Sequence, residues 1–98
     1  MSHVLEFHKA TVEKTDAEAL VGLRPRLVTA MRAVCPGFLG ATLVRLDERT
    51  WLDVIEWESA EAANAAREAE AELPEARELM SLIRQPLAAY MGEIVDRR

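Results

Sequence analysis

An α+β fold in the order β-α-β-β-α-β, built on a four-stranded antiparallel sheet, is what this sequence predicts, and three observations predict it. Segments patterned at the period of a strand alternate with segments whose apolar residues recur at helical spacing. The second and third strand segments are separated only by Asp47-Glu48-Arg49, a connection short enough to require an antiparallel hairpin. The chain has 98 residues, which makes a single domain over 1–98.

The first strand is predicted from His3 to Val12. Val4, Glu6, His8, Ala10 and Val12 share one of its faces, and Leu5, Phe7, Lys9 and Thr11 share the other. Thr15 and Glu18 form a Thr-x-x-Glu capping-box pattern, so a helix is expected from there to about Val34. Leu20, Leu23, Leu27, Met31 and Val34 make its apolar stripe. Pro25, just after Gly22, predicts a kink or a second helix starting near Arg24, because proline lacks the backbone donor and crowds the preceding turn. Cys35-Pro36-Gly37 ends the helix, since proline cannot continue it and glycine tolerates a left-handed bend. Phe38–Leu46 and Thr50–Trp57 are the hairpin strands, with Trp51, Asp53, Ile55 and Trp57 on one face of the latter. Ser59 is a plausible N-cap for a helix over Ala60–Leu73, and Pro74 suits the first turn of a further helix from Glu75 to about Arg84. Gln85-Pro86 is expected to break that helix before a last strand from Leu87 to Val95.

This order is the ferredoxin-like split βαβ arrangement. Its helices cover one face of the sheet, yet the strands carry apolar residues of both parities. Packing the second face on another copy of the same sheet, with two-fold symmetry, is the simplest way to bury it. A homodimer through the sheet face is therefore expected. The hydrophobic half of the composition agrees, since a chain this short hides only roughly 60–65% of its unfolded surface when it folds alone.

Composition also excludes function classes. Twelve Lys and Arg against seventeen Asp and Glu give a net charge of −5, which argues against nucleic acid as a partner. No apolar run approaches the length of a membrane span. The first residues read as strand rather than signal peptide, and the single cysteine, Cys35, fits a reducing cytoplasm. No metal site is expected, because His3 and His8 have opposite parity on one strand. No cofactor is expected either, since glycine-rich phosphate loops are missing.

Two stretches resemble the antibiotic biosynthesis monooxygenase family. Cys35-Pro36-Gly37-Phe38-Leu39-Gly40-Ala41 looks like its Pro-Gly-Phe-x-Gly signature, and Trp51-Leu52-Asp53-Val54-Ile55-Glu56-Trp57-Glu58-Ser59 resembles its third strand, ending in tryptophan and a helix cap. The resemblance implies a dimeric α+β barrel with a pocket in each protomer between helices and sheet. It also implies a cofactor-independent oxygenase that converts phenols or hydroquinones to quinones with O₂. Under it, Trp57 matches the strand-ending tryptophan, Asp53 stands where the family carries an amide, and Arg77 falls at the place of an arginine on the last helix. The family's tyrosine is missing around Ala62, Ala63 and Asn64. Haem degradation is disfavoured, because the last helix has no histidine.

The candidate catalytic residues are thus Asp53, Trp57, Arg77 and His8. Asp53 is a base whose pKa burial would raise, Arg77 a cation for a phenolate, Trp57 a ring to stack on or an N–H donor, and His8 a rival base. Trp51, Tyr90 and Phe38 are the aromatic residues expected to contact a small aromatic substrate. Two other readings remain open. One is a non-catalytic small-ligand-binding or stress-associated dimeric module, and the other an isomerase or lyase using Asp53 or His8 as a proton shuttle.

Overall fold

The structure is a computed structural model and describes residues 2–98. The strands are β1 (Val4–Val12), β2 (Phe38–Arg45), β3 (Thr50–Trp57) and β4 (Ile83–Glu93); the helices are α1 (Ala17–Val34), α2 (Ala60–Ala71) and α3 (Pro74–Leu82). The four strands form one sheet in the order β2-β3-β1-β4, and every neighbouring pair is antiparallel. This is the ferredoxin-like arrangement that the hairpin and the strand periodicity predict.

Register decides which side chains meet. Val4 lies opposite Trp57, Glu6 opposite Ile55, His8 opposite Asp53 and Ala10 opposite Trp51. These residues share the face on which the helices pack, and Val4, Val12, Trp51, Ile55 and Trp57 are buried there. The other face carries Leu5, Phe7, Val44, Leu52, Val54 and Tyr90, with Phe7 stacked on Tyr90 at 4.9 Å between ring centroids. Tyr90 is 56% exposed in the single chain.

Three local expectations are corrected. The Thr15–Glu18 capping box does not form, because Thr15 lies inside a 3₁₀ turn over Lys14–Asp16 and the residue preceding α1 is Asp16, with no side-chain cap bond. Pro25 does not divide the helix, since α1 runs unbroken over 18 residues. Pro25 and Val21 both lie on its exposed side, where a missing backbone donor is best tolerated. Finally, β4 starts at Ile83, four residues before Leu87, and takes in Gln85 and Pro86. It is an edge strand whose pairing with β1 shifts register between Lys9 and Ala10 and again between Thr11 and Val12, and an irregular edge is where a sheet accepts proline. The remaining boundaries differ by a residue or two, as α2 ends at Ala71, α3 at Leu82 and β2 at Arg45.

Entry into β2 depends on Gly37. Its φ is +86°, and a Cβ there would lie 2.6 Å from the Cβ of Ala62 in α2. The Gly37 carbonyl also accepts from the Glu58 N–H at 2.8 Å, tying the α1–β2 turn to the end of β3. Ser59 caps α2 by accepting from the Ala62 N–H at 3.1 Å, so the turn, the cap and the helix start are held together. Gly37→Ala is expected to cost about 2–3 kcal/mol, combining left-handed strain with the clash on Ala62. Thermal or denaturant unfolding checks this, and an unchanged midpoint would contradict it.

Candidate functional site

Between the helices and the sheet the core divides. One packed cluster gathers Val4, Leu27, Met31, Cys35, Phe38, Ile55, Trp57, Ala63 and Ala66, and a second gathers Val12, Leu20 and Trp51. A cavity of about 500 Å³ touches both. Helix α1 gives it Leu20, Arg24, Leu27 and Met31, successive positions of one helical stripe. The sheet contributes His8, Ala10 and Val12 from β1, Leu43 from β2, and Trp51, Asp53 and Ile55 from β3. Arg67 and Glu70 of α2 and Arg77, Leu79 and Met80 of α3 close it. An apolar hollow of this size with a few polar groups at one place suits a small organic ligand.

The polar part is organised around two carboxylates. Asp53 Oδ1 accepts from Arg24 Nη2 at 2.9 Å, and Arg24 is only 8% exposed. Burial raises the Asp53 pKa above the usual carboxylate range, and the neighbouring charges of Arg24 and His8 oppose that rise without cancelling it. Glu6 is the second carboxylate. Its Oε1 accepts from the Trp57 indole N–H at 2.8 Å, and its Oε2 lies 2.9 Å from His8 Nε2. Burial pushes Glu6 up, but the bonds from His8 and Trp57 outweigh it and hold the carboxyl below its ordinary pKa. His8 moves the other way: its bond to Glu6 keeps the imidazole protonated to higher pH than usual, against the effect of burial. Burial also raises Glu70, at the same end of the cavity.

The sequence-predicted residues divide accordingly. Asp53, His8 and Trp51 meet at the cavity wall. Arg77 reaches the wall as well, but it is an exposed residue whose Nη2 donates to the Glu72 carbonyl at 3.0 Å, closing the turn between α2 and α3. Trp57 is 0% exposed and is not part of the cavity wall; it lies edge-on to Phe38 at 5.7 Å, and its N–H is committed to Glu6. Phe38 likewise sits in the packed cluster, beneath the Arg32 guanidinium at 5.1 Å. Tyr90 lies on the opposite face of the sheet. His3 is distant from His8 and pairs with Glu56 at 3.1 Å.

Arg24, Glu6, Arg67 and Glu70 escaped sequence reasoning. Arg24 had a signal: it falls four residues after Leu20 and three before Leu27, which puts a charge on the apolar stripe of the helix. Glu6 shares parity with His8 and Val4, so its face was legible, but its bond to Trp57 was not.

Solved structures provide the comparison. SnoaB from Streptomyces nogalater, named as a cofactor-independent oxygenase, is similar in its N63A mutant form with a TM-score of 0.71 and 23% identity, covering 100% of this chain and 96% of that one. A Bordetella bronchiseptica protein provisionally named as an antibiotic biosynthesis monooxygenase gives a TM-score of 0.71 at 24% identity, covering 97% and 99%. A dimeric ferredoxin-like protein from an uncultured marine organism gives 0.71 at 14%, covering 100% and 92%. At these identities the likeness establishes the fold, and several of the structural neighbours bear the name of the family that the Pro-Gly-Phe turn and the Trp57 strand end resemble. No protein-family model and no curated protein matches the sequence.

Removing one member of a buried ion pair strands the other. Arg24→Met is therefore expected to destabilise the fold by about 3–5 kcal/mol, whereas Arg24→Met with Asp53→Leu should recover most of the loss. Urea unfolding of both single variants and the double variant checks this, and additive losses would contradict it.

Proposed function

We propose that this chain is a cofactor-independent monooxygenase of the antibiotic biosynthesis type, acting on a small phenol, hydroquinone or anthrone in the cavity. The observation that carries the reading is the convergence of Asp53, Arg24 and His8 on the wall of a mostly apolar cavity, in a fold shared with a named cofactor-independent oxygenase. Such chemistry needs an ionised substrate, because a phenolate or enolate gives an electron to O₂ far more readily than the neutral form. A base must take the proton and a cation must hold the anion in a site poor in water. His8 and Asp53 are the groups able to accept a proton, and Arg24 and Arg77 the cations within reach of the ligand. Trp51, in the wall, offers a flat surface for the ring. For a phenol with a free para position the balance is one O₂ consumed, one oxygen atom entering the ring, two hydrogens leaving with the other as water, and a quinone formed.

The functional unit is a homodimer. The motive is the uncovered sheet face, which carries Leu5, Phe7, Val44, Leu52, Val54 and Tyr90, apolar side chains of the kind that a second copy buries. Sedimentation at micromolar concentration should give about twice the chain mass of 11.0 kDa, and a stable single-chain species would contradict it.

A ligand-binding module without turnover is the second reading, favoured by the closure of Asp53 on Arg24. Oxygen uptake with a panel of hydroquinones and anthrones separates the two. Wild type should exceed the protein-free rate, and His8→Asn should lower kcat/KM by about 10²-fold. Binding without any rate above background would support the module instead. Turnover that persists in anaerobic buffer would point to proton-shuttle chemistry.

A further inference from the structure

Trp57, Glu6 and His8 form a chain of hydrogen bonds running from the sealed core to the cavity wall. Trp57 donates its N–H to Glu6 Oε1 at 2.8 Å, and His8 Nε2 meets Glu6 Oε2 at 2.9 Å. Glu6 is 8% exposed, and each of its oxygens faces one of these two partners. An ionised carboxylate only accepts hydrogen bonds, so the imidazole nitrogen facing it carries a proton. A neutral imidazole protonated at Nε2 has a bare Nδ1, and among the described residues no side chain hydrogen-bonds that atom. The identity of the free nitrogen is therefore determined by a carboxylate that is itself anchored from the core side.

We propose that Glu6 and Trp57 are positioning residues that hold His8 as the proton acceptor of the cavity, with Nε2–H toward Glu6 and Nδ1 bare toward a bound acid. The proposal rests on the reading of the cavity as the reaction site and names the base within it. In the step, an O–H or activated C–H bond of the ligand breaks, the proton forms Nδ1–H, and the electron pair stays on the ligand as phenolate or enolate. The imidazolium that results is balanced by Glu6, which remains ionised. Asp53 is the less available acceptor because Arg24 holds it at 2.9 Å.

Charged groups face His8 from every element packed on it. Glu6 lies on its own strand, Asp53 directly across on β3, and Arg67 and Glu70 on α2. Arg24 of α1, paired with Asp53, and Arg77 of α3 complete the cavity's charges. The carboxylates favour the imidazolium and Glu6 dominates through its hydrogen bond, with burial opposing. A base of this kind works when neutral, so activity should rise with pH through the His8 midpoint, which lies above the ordinary histidine value.

Nitrogen-15 NMR of the His8 ring across pH tests the proposal without needing a substrate. The wild-type neutral ring should be the Nε2–H tautomer, and Glu6→Gln should lower the midpoint. Trp57→Phe keeps an aromatic ring and removes the N–H, so the Glu6 carboxyl, followed by carbon-13 titration, should rise toward its ordinary range. With a substrate found by oxygen uptake, the alkaline rise of kcat/KM should move down in Glu6→Gln by the same amount as the His8 midpoint. A neutral ring protonated at Nδ1, a His8 midpoint unmoved by Glu6→Gln, or a rate profile that ignores a moved midpoint would each overturn the proposal. If no compound is turned over, the oxygenase reading falls while the ring-nitrogen data still decide whether Glu6 and Trp57 set His8.

Discussion

Burying Asp53 among apolar side chains obliges the fold to bring a cation to it, and that cation is Arg24. The pair ties the middle of α1 to the centre of β3 across a layer that is mostly hydrocarbon. An ion pair in such a place gains little over a well-packed apolar pair, because desolvation offsets most of the attraction. What it provides is placement. The hollow beside the guanidinium and carboxylate is lined from both of the packed clusters into which the core divides.

The sheet performs different work on its two faces. Toward the helices it alternates sealed positions with polar ones, and the register sets His8 against Asp53 at the cavity wall. Toward the other side it presents a largely apolar surface with the Phe7–Tyr90 stack, set apart from the cavity. The strength of the apolar signal on both parities therefore has two sources. Asp53 and Trp51 owe their position to one, and Tyr90 to the other.

Much of this was legible in the residues. The Thr50–Trp57 strand was placed to the residue, because its turn residues and its alternation agree. Periodicity tells which face a side chain takes, but not how deeply it sits. Trp51 and Trp57 share a face, yet Trp51 lines the cavity while Trp57 is sealed by the small side chains Ala63 and Ala66 of α2, which let that helix approach closely. Local rules for proline predict a kink or a new helix start at Pro25 and a break at Pro86. The exposed side of α1 and the irregular edge at β4 absorb both. Hydrogen bonds between residues far apart in the chain, such as Trp57 to Glu6, have no local signature at all.

The central claim is that one end of this cavity ionises the ligand it binds. The absorbance of a bound nitrophenol, followed as pH is lowered, tests it most directly, because the phenolate and the phenol differ in colour. Bound nitrophenol is predicted to keep its phenolate spectrum at pH values where the free compound is already protonated, with that advantage lost in a His8→Asn, Arg24→Lys double variant. A bound ligand that titrates like the free one, or is held as the neutral phenol, would contradict the account.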